Sequence, residues 1–170
     1  NGYSPERRSE GTINVVLKNN VTNLTGGAGK YEDANQNLDC FKHNETASIP
    51  FIAKKSGKHK ISFKYATVRD DVSVTVKIKN IDDNELYSED FTLPATTTNT
   101  SNWHEYKTKI GTSESSSLTK DIEYKLEITF KSANGQFTAN IKDIKFDIEN
   151  DNDGMNGSND AGTEISISEF

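Results

Sequence analysis

The stretch Val72 to Ile78, VSVTVKI, decides the fold class of this chain. Its apolar side chains occupy every even-numbered position and its polar side chains every odd-numbered one. Because successive side chains of a β-strand point to opposite faces, this alternation predicts a strand with one buried and one solvated face. Two longer stretches repeat the pattern, Lys58 to Thr67 (KHKISFKYAT) and Asp121 to Lys131 (DIEYKLEITFK). Three such alternations indicate antiparallel sheets, each covered on one side only.

Shorter strand signals surround these stretches. Thr12 to Lys18 (TINVVLK) reads as a first strand, and Pro50 within Thr46 to Ala53 indicates an edge position or a bulge. The dipeptide Asn134-Gly135 is typical of a tight turn between strands. No stretch carries a convincing helical period. Eight or nine short strands without a helix predict an all-β fold, a two-sheet antiparallel β-sandwich of the jelly-roll type.

The last strand changes parity along its length. Its first three apolar residues fall on odd positions and the next three on even ones (Phe137, Ala139, Ile141; Ile144, Phe146, Ile148). One extra residue between Ile141 and Asp143 would return all of them to one face, so the pattern predicts a β-bulge. An end effect of the strand is the alternative.

Composition limits the functions that this chain can serve. The 170 residues carry a formal net charge of −6 with mixed signs, which argues against nucleic acid as a partner. No apolar run approaches the roughly 20 residues that a membrane span needs, so no membrane partner is expected. The single cysteine, Cys40, excludes an internal disulfide. The three histidines fall into no Ser-His-Asp, Cys-His or phosphate-loop pattern, so the chain is predicted not to be an enzyme.

The chain divides into three parts by composition. Residues 1–10 are polar, with a proline and two arginines, and are predicted to be a linker or N-terminal extension. Residues 11–149 hold the strand signals and form the predicted sandwich. Residues 150–170 are rich in Asn, Asp, Gly and Ser, which predicts a flexible low-complexity tail or linker. Because it lacks an initiator methionine and a signal sequence, we expect the chain to be part of a larger multi-module protein.

The only tryptophan, Trp103, lies within Phe91 to Ile110 (FTLPATTTNTSNWHEYKTKI). A run of Thr, Asn and Ser without any apolar residue precedes it. Strand parity puts Tyr106 and Ile110 on one side and Trp103 on the other, so Trp103 faces away from the core if the other two face it. A large ring directed at solvent from a polar loop indicates a binding residue. A tryptophan that caps one end of the core is the structural alternative.

Sugar binding suits such a residue. The C–H face of a pyranose packs on an aromatic ring, and its hydroxyls need amides and charges at the rim. The long polar segment after the first strand leads to Tyr31 and Phe41, and His104 flanks Trp103. Loops at one end of a sandwich can bring these side chains together.

Four segments resemble motifs of the family 6 and family 35 carbohydrate-binding modules. SGKHKISFKYAT (Ser56 to Thr67) is similar to their strand aGtYtltfRYA, and FTLPATTTNTSNWHEYKT (Phe91 to Thr108) is similar to their lpaTggWxxW segment. IEYKLEITF (Ile122 to Phe130) resembles the strand before the last, and NIKDIKF (Asn140 to Phe146) resembles the closing NlDyIrF. The matches follow one another in order and cover most of Glu45 to Asp147.

The resemblance implies a galactose-binding-like β-sandwich that binds polysaccharide or glycan without catalysis, as a module of a secreted or cell-surface protein. It places Trp103 at a ligand-stacking aromatic, Tyr106 at a core aromatic and Asn140 at an asparagine that hydrogen-bonds sugar. A looser alignment places Phe41 near the second stacking aromatic. The predicted carbohydrate-binding residues are therefore Trp103, Asn140, Phe41, Tyr31 and His104.

Calcium is the one cofactor that the resemblance raises. The family's structural calcium uses acids of the first strand and the aspartate of NlDyIrF, whereas Ile13 to Leu17 has no acid and Lys142 occupies the aspartate position. A charged lysine cannot ligate calcium, so this site is predicted to be absent and no cofactor is expected. Two polar runs nevertheless have calcium-like spacing (Asp33, Asn35, Asn37, Asp39; Glu149, Asp151, Asp153, Asp160).

Two other functions stay open at this point. A protein-interaction or adhesion domain can use the same sandwich, as in the lectin-like third domain of insecticidal crystal toxins. Its motivation here is a lysine-rich strand face that could meet an acidic partner (Lys58, Lys60, Lys64, Lys77, Lys79). A purely structural spacer predicts no ligand and a buried Trp103.

Overall fold

A computed structural model describes residues 9–112 and 117–149 of the chain. Regular structure in these ranges consists of eleven β-strands and one 3-10 turn, Thr100–Asn102. The strands are β1 Ser9–Asn14, β2 Thr22–Asn23, β3 Lys30–Glu32, β4 Asn37–Asp39, β5 Thr46–Ile52, β6 His59–Ala66, β7 Val72–Lys79, β8 Glu85–Leu93, β9 Lys107–Ile110, β10 Glu123–Ser132 and β11 Asn140–Glu149. No described segment is a helix long and apolar enough to cross a membrane.

The strands form two antiparallel sheets that face each other. One sheet has the order β3-β4-β11-β6-β9, with β1 paired to the C-terminal part of β11. The other sheet has the order β2-β5-β10-β7-β8. The predicted all-β, two-sheet antiparallel sandwich is thereby confirmed.

The core lies between the sheets and is built from the alternating residues that the sequence singled out. Val74, Val76 and Ile78 of β7 are fully buried, as are Leu126 and Ile128 of β10. β7 and β10 are neighbours in the five-stranded sheet, and Val76 lies directly opposite Ile128. Burial of such side chains stabilises the sandwich by about 1.5–3 kcal/mol each.

The predicted bulge is present in β11. The register of β11 against β6 shifts between Lys142 and Lys145, and Asp143 has a φ of 52°. This extra residue lets Ile141 and Ile144 both point into the core, although their numbers differ in parity. The bulge confirms the first of the two interpretations of the parity change.

Three buried threonines join the loops at one end of the sandwich. Thr67 and Thr96 exchange backbone and side-chain hydrogen bonds of 2.8–3.1 Å. The Thr67 hydroxyl donates to the Thr138 carbonyl at 2.8 Å, and Thr138 donates twice to the Phe41 carbonyl. These bonds hold together four chain segments, and we call the surface that they support the loop end.

The lysine-rich face predicted from the sequence does not exist as one face. Lys60 and Lys64 lie on β6 in the six-stranded sheet, whereas Lys77 and Lys79 lie on β7 in the opposite sheet. Lys77 and Lys79 also form ion pairs with acids, among them Glu127, whose carboxylate lies 3.1 Å from the Lys79 ammonium. The prediction was wrong because strand alternation identifies solvated positions but not the sheet to which they belong.

Candidate functional site

Trp103 lies at the end of the 3-10 turn in the loop between β8 and β9. Asn99 caps this turn, since its side-chain oxygen accepts a hydrogen bond of 3.0 Å from the Ser101 amide. The Trp103 ring is half-buried and stacks on the exposed His104 ring, with 3.4 Å between centroids. Trp103 is therefore less buried than a core residue. The ring on which it stacks belongs to His104, another predicted site residue.

The strand parity used to orient Trp103 does not apply to it, because Trp103 lies in the loop before β9. β9 begins only at Lys107, and Lys109 lies opposite the buried Phe63 of β6, so the lysines of β9 take the core side of the sheet. Ile110 is accordingly 59% exposed, and Tyr106 lies on the outer side. The expectation that Tyr106 and Ile110 face the core was wrong because β9 is an edge strand, whose inner side reaches past the core into solvent.

Asn140 opens β11 beside the loop end. Its residue partner across the sheet is Ala66 of β6, and Thr138, two residues before it, belongs to the threonine cluster. The Asn140 Nδ2 atom is buried and has no hydrogen-bond partner in the described part of the chain. Buried amide groups are nearly always paired, so this donor indicates a place where a water molecule or a ligand oxygen is needed.

A polar cluster continues from Asn140 along the outer face of the six-stranded sheet. Asn37, fully buried, donates from Nδ2 to the Tyr106 hydroxyl at 2.6 Å, while its Oδ1 has no partner among the described residues. The Lys142 ammonium lies 4.2 Å from the centre of the Tyr106 ring. Burial raises the pKa of the Tyr106 hydroxyl. The two amide atoms without a partner, Asn37 Oδ1 and Asn140 Nδ2, thus belong to β4 and β11, which pair directly with each other.

Phe41 is not available to a ligand. It is fully buried, and its ring stacks on that of Phe130 with 4.6 Å between centroids. Gly29 lies so close that a Cβ there would come within 2.3 Å of the Phe41 ring. The prediction of Phe41 as a second stacking residue was wrong, because the loose alignment did not separate a loop aromatic from a core aromatic.

Tyr31 lies on the six-stranded sheet, whereas Trp103 lies in the loop between β8 and β9. Tyr31 lies on β3 opposite Leu38, is half-buried and packs partly against the core. Its exposed part lines a groove on the outer face of the six-stranded sheet, to which Trp103 does not contribute. Of the predicted site residues, Trp103 and His104 thus lie in the same loop as Thr96, and Asn140 follows Thr138 by two residues.

Phe137 is an aromatic that sequence reasoning placed on a strand and therefore missed. It is 52% exposed, and the Lys42 ammonium lies 5.2 Å from its ring centre. Phe137 directly precedes Thr138, whose hydrogen bonds fix this segment at the loop end. The turn at Asn134-Gly135 was the available signal, because a residue so close to a tight turn need not belong to the following strand.

The first of the two polar runs with calcium-like spacing, Asp33 to Asp39, makes hydrogen bonds to other protein groups. Asn37 bonds to Tyr106, and the Asp39 carboxylate accepts from the Cys40 amide. Asn35 bonds to Glu32, which also accepts from the amide of Ala34. No three His, Cys, Asp or Glu side chains are grouped as a metal site within residues 11–112 and 117–148. The run from Glu149 to Asp160 lies outside the residues whose side chains are described.

The two-sheet sandwich of this chain is also found in solved structures of other proteins. Solved structures with the same sandwich include carbohydrate-binding modules of families 6, 35 and 36. The similarity extends over about four-fifths of this chain and nearly the whole of each module, at sequence identities of 14–17%. At this level of identity the comparison establishes the fold, and the resemblance noted in the sequence is confirmed in that respect.

Three structures illustrate the range of proteins that share this fold. A family 6 module of Cellvibrio mixtus lichenase 5A, solved with cellotriose, aligns with a TM-score of 0.52 and 16% identity over 82% of this chain and 97% of its own. A family 35 module from Clostridium thermocellum aligns with a TM-score of 0.50 and 14% identity over 80% and 97%. The mosquito-larvicidal Cry4Aa toxin of Bacillus thuringiensis aligns with a TM-score of 0.60 and 14% identity, but this chain spans only 23% of the toxin. No protein-family model and no curated protein matches the chain.

Proposed function

We propose that this chain is a non-catalytic carbohydrate-binding module whose loop end binds a polysaccharide or glycan. The observation that carries the proposal is the buried, unpartnered Nδ2 donor of Asn140 on the strand that leads away from the loop end. A sugar hydroxyl is a suitable acceptor for such a donor. The fold supports the same function, because it is shared with carbohydrate-binding modules of families 6 and 35.

The aromatic side chains of the loop end supply the second requirement of a sugar site. Trp103 and the exposed Phe137 offer ring faces on which the C–H side of a pyranose can pack. His104 carries ring nitrogens that can bond to hydroxyls at the rim. In this proposal Trp103 is the principal stacking residue and Asn140 orients the bound sugar, with His104 and Phe137 as accessory contacts.

We further propose that the module belongs to a larger secreted or cell-surface protein and attaches that protein to its glycan. The similar Cry4Aa toxin is a chain of which this fold forms less than a quarter. The alternative function in protein interaction depended on the lysine-rich face. The lysines of that face lie on two different sheets, so they do not form one surface. No second function is therefore proposed.

Affinity electrophoresis on neutral polysaccharides (xylan, β-glucan and mannan), preceded by a glycan array, tests the loop-end site. Truncation of an aromatic residue at the centre of a binding surface commonly costs about 2 kcal/mol or more, so Trp103→Ala should weaken binding by about 30-fold. Asn140→Ala should weaken it as well, because the donor is lost. Ile81→Ala is the matched control, since Ile81 is 68% exposed and lies in the turn after β7, away from the loop end. Unchanged binding by both site variants would refute the assignment.

A further inference from the structure

Two sheet edges are left unpaired on one side of the sandwich. β1 pairs only with β11 among the described strands, and β5 pairs with β10 along its length but with β2 only at Ala47 and Ser48. The free edges of β1 and β5 border one groove of about 550 Å³. We call it the seam groove, and its lining includes residues of both strands (Thr12, Ile13, Asn14, Pro50, Phe51, Ile52). A free edge is a template on which a further strand can pair.

The free edge of β1 offers backbone hydrogen-bonding groups to the seam groove. Residues of an antiparallel pair bond to their partner strand at alternate positions. The Val15 amide donates to the Ile144 carbonyl at 2.9 Å, so the odd-numbered residues of this segment face β11. The N–H and C=O groups of Thr12 and Asn14 therefore point away from β11, where no described strand pairs with them.

The free edge of β5 forms the opposite border of the seam groove. The Leu24 amide donates to the Thr46 carbonyl at 2.9 Å, so the even-numbered residues of β5 face the side on which β2 pairs. Beyond the end of β2, Pro50 and Ile52 take this orientation without a partner among the described strands. Pro50 has no N–H to leave unpaired, as is usual for a proline at a sheet edge.

The seam groove is apolar between its two edges. Ile13 and Phe51 line its inner side and are almost completely buried, whereas Val16 and Ile52 are 61% and 45% exposed at its borders. Since packed sheets lie about 10 Å apart and paired strands about 4.8 Å apart, one added strand can pair with β1 and cover these exposed side chains. The groove therefore suits an extended peptide with apolar residues at alternate positions.

Exposed cations lie beside the seam groove. Lys54 lines it, and the side chain of Lys55 lies so close to β1 that a Cβ at Gly11 would come within 3.2 Å of it. Neither lysine has a carboxylate within ion-pair distance among the described residues, and one acid, Glu123, also lines the groove. A strand that carries acids next to its apolar residues would complement these charges.

We propose that residues 163–170 of the same chain (TEISISEF) occupy the seam groove as an added strand beside β1. Ile165 and Ile167 stand at alternate positions and face the apolar inner side of the groove in this arrangement. Ser166 and Ser168 then face solvent. The added strand covers the free edge of β1 and the exposed apolar side chains beside it.

Position and charge favour this segment as the occupant. Glu149 pairs with Ser9 at the start of β1, so the chain passes out of the described range beside this strand. Residues 150–162 can span up to about 45 Å, whereas β1 and its continuation to Val16 measure roughly 25 Å. Residues 150–170 contain five acids and no basic residue (Asp151, Asp153, Asp160, Glu164, Glu169). Residues 1–8 (NGYSPERR) carry two arginines and no apolar alternation, so they complement the groove less well.

Amide hydrogen exchange of the full chain, followed residue by residue by NMR, tests the proposal. The amides of Thr12 and Asn14 should exchange slowly, because the added strand accepts their hydrogen bonds. Fast exchange of both amides in the wild type would overturn the proposal. The measurement involves no sugar, so its outcome is independent of the proposed function.

Two double variants identify the segment and the face that it uses. Ile165→Asp combined with Ile167→Asp should raise the exchange rates of the two β1 amides by about tenfold or more, because the apolar burial that holds the strand is lost. Ser166→Asp combined with Ser168→Asp adds the same charge on the opposite face and should leave them unchanged. Unchanged β7 amides in both variants would show that the sandwich itself is intact.

Three results of these variants would contradict the proposal. Slow exchange that persists in the isoleucine variant would show that residues 163–170 do not protect this edge. An equal rise in both double variants would show an effect of charge alone. Protection that increases with protein concentration, together with a dimer in sedimentation, would show that a second copy supplies the strand instead of the same chain.

Discussion

At the scale of single residues, two buried amides carry most of the argument for a ligand. Asn37 and Asn140 each leave one polar atom without a partner in the described part of the chain, and both lie in the six-stranded sheet. An unpaired buried polar atom costs about 1–3 kcal/mol, so each of these atoms needs a partner, which a water molecule or a ligand hydroxyl can supply. Other buried polar groups nearby, such as those of Thr67 and Thr138, are paired.

A buried histidine gives a prediction at the same scale. His59 is 1% exposed and packs edge-on against Phe146, with 4.8 Å between ring centroids. Burial lowers the pKa of the His59 imidazole from 6.5 to about 4. The unfolded chain therefore binds the proton more readily than the folded one, so this contribution is complete above about pH 6.5 and is lost as the pH falls towards 4.

We expect the free energy of unfolding to decrease by about 2 kcal/mol between pH 7 and pH 5 because of His59. Urea denaturation of the wild type and of His59→Phe at both pH values measures this. His59→Phe should lose most of the decrease, while the other titrating groups contribute equally to both proteins. The same decrease in both proteins would contradict the assigned pKa.

At the scale of elements, sequence patterns predicted the strands well wherever one face was fully buried. β7 and β10 alternate over their whole length, and even the bulge of β11 was visible, because its apolar residues all had to reach one core. β9 was oriented wrongly because an edge strand mixes apolar and charged residues on both faces. The long polar segment after the first strand contains three strands of two or three residues, which are too short to show a period in the sequence.

The candidate site was less predictable than the fold, for a related reason. Trp103, His104 and Asn140 were predicted as site residues because polar surroundings or a motif marked them. Phe41 was predicted to bind sugar but is buried, whereas Phe137 was placed on a strand but is exposed. A phenylalanine in a loop has no alternation of apolar and polar neighbours from which the burial of its ring can be predicted. The groove on the outer face of the six-stranded sheet was not predicted at all, because it combines residues from five segments that only the sheet register brings together.

The threonine cluster leads to a prediction about how the loops are held. Thr67→Val keeps the shape of the side chain but removes the hydroxyl that donates to the Thr138 carbonyl. The unpaired carbonyl should lower the free energy of unfolding by about 1–3 kcal/mol. Thr92→Val, at an exposed position of β8, should change it by less than about 0.5 kcal/mol. Urea denaturation compares the two variants, and equal stabilities would show that the cluster does not hold the loop end.

At the scale of the whole molecule, the sandwich presents two surfaces with different chemistry. The loop end offers aromatic rings and amides, which suit a neutral sugar. The groove on the six-stranded sheet is lined by Lys18, Lys64 and Lys145 together with one acid, Asp143. Both surfaces depend on the same β11, whose first residue is Asn140 and whose bulge adds Asp143 and Lys145 to the groove.

The most direct test of the central claim uses the fluorescence of Trp103, which is the only tryptophan in the chain. Its half-buried ring should be quenched by iodide in the free protein. We predict that a saturating neutral polysaccharide, chosen from the affinity electrophoresis, protects the ring and lowers the quenching constant. Quenching that stays the same while the polysaccharide is bound would contradict the claim that Trp103 forms the binding site.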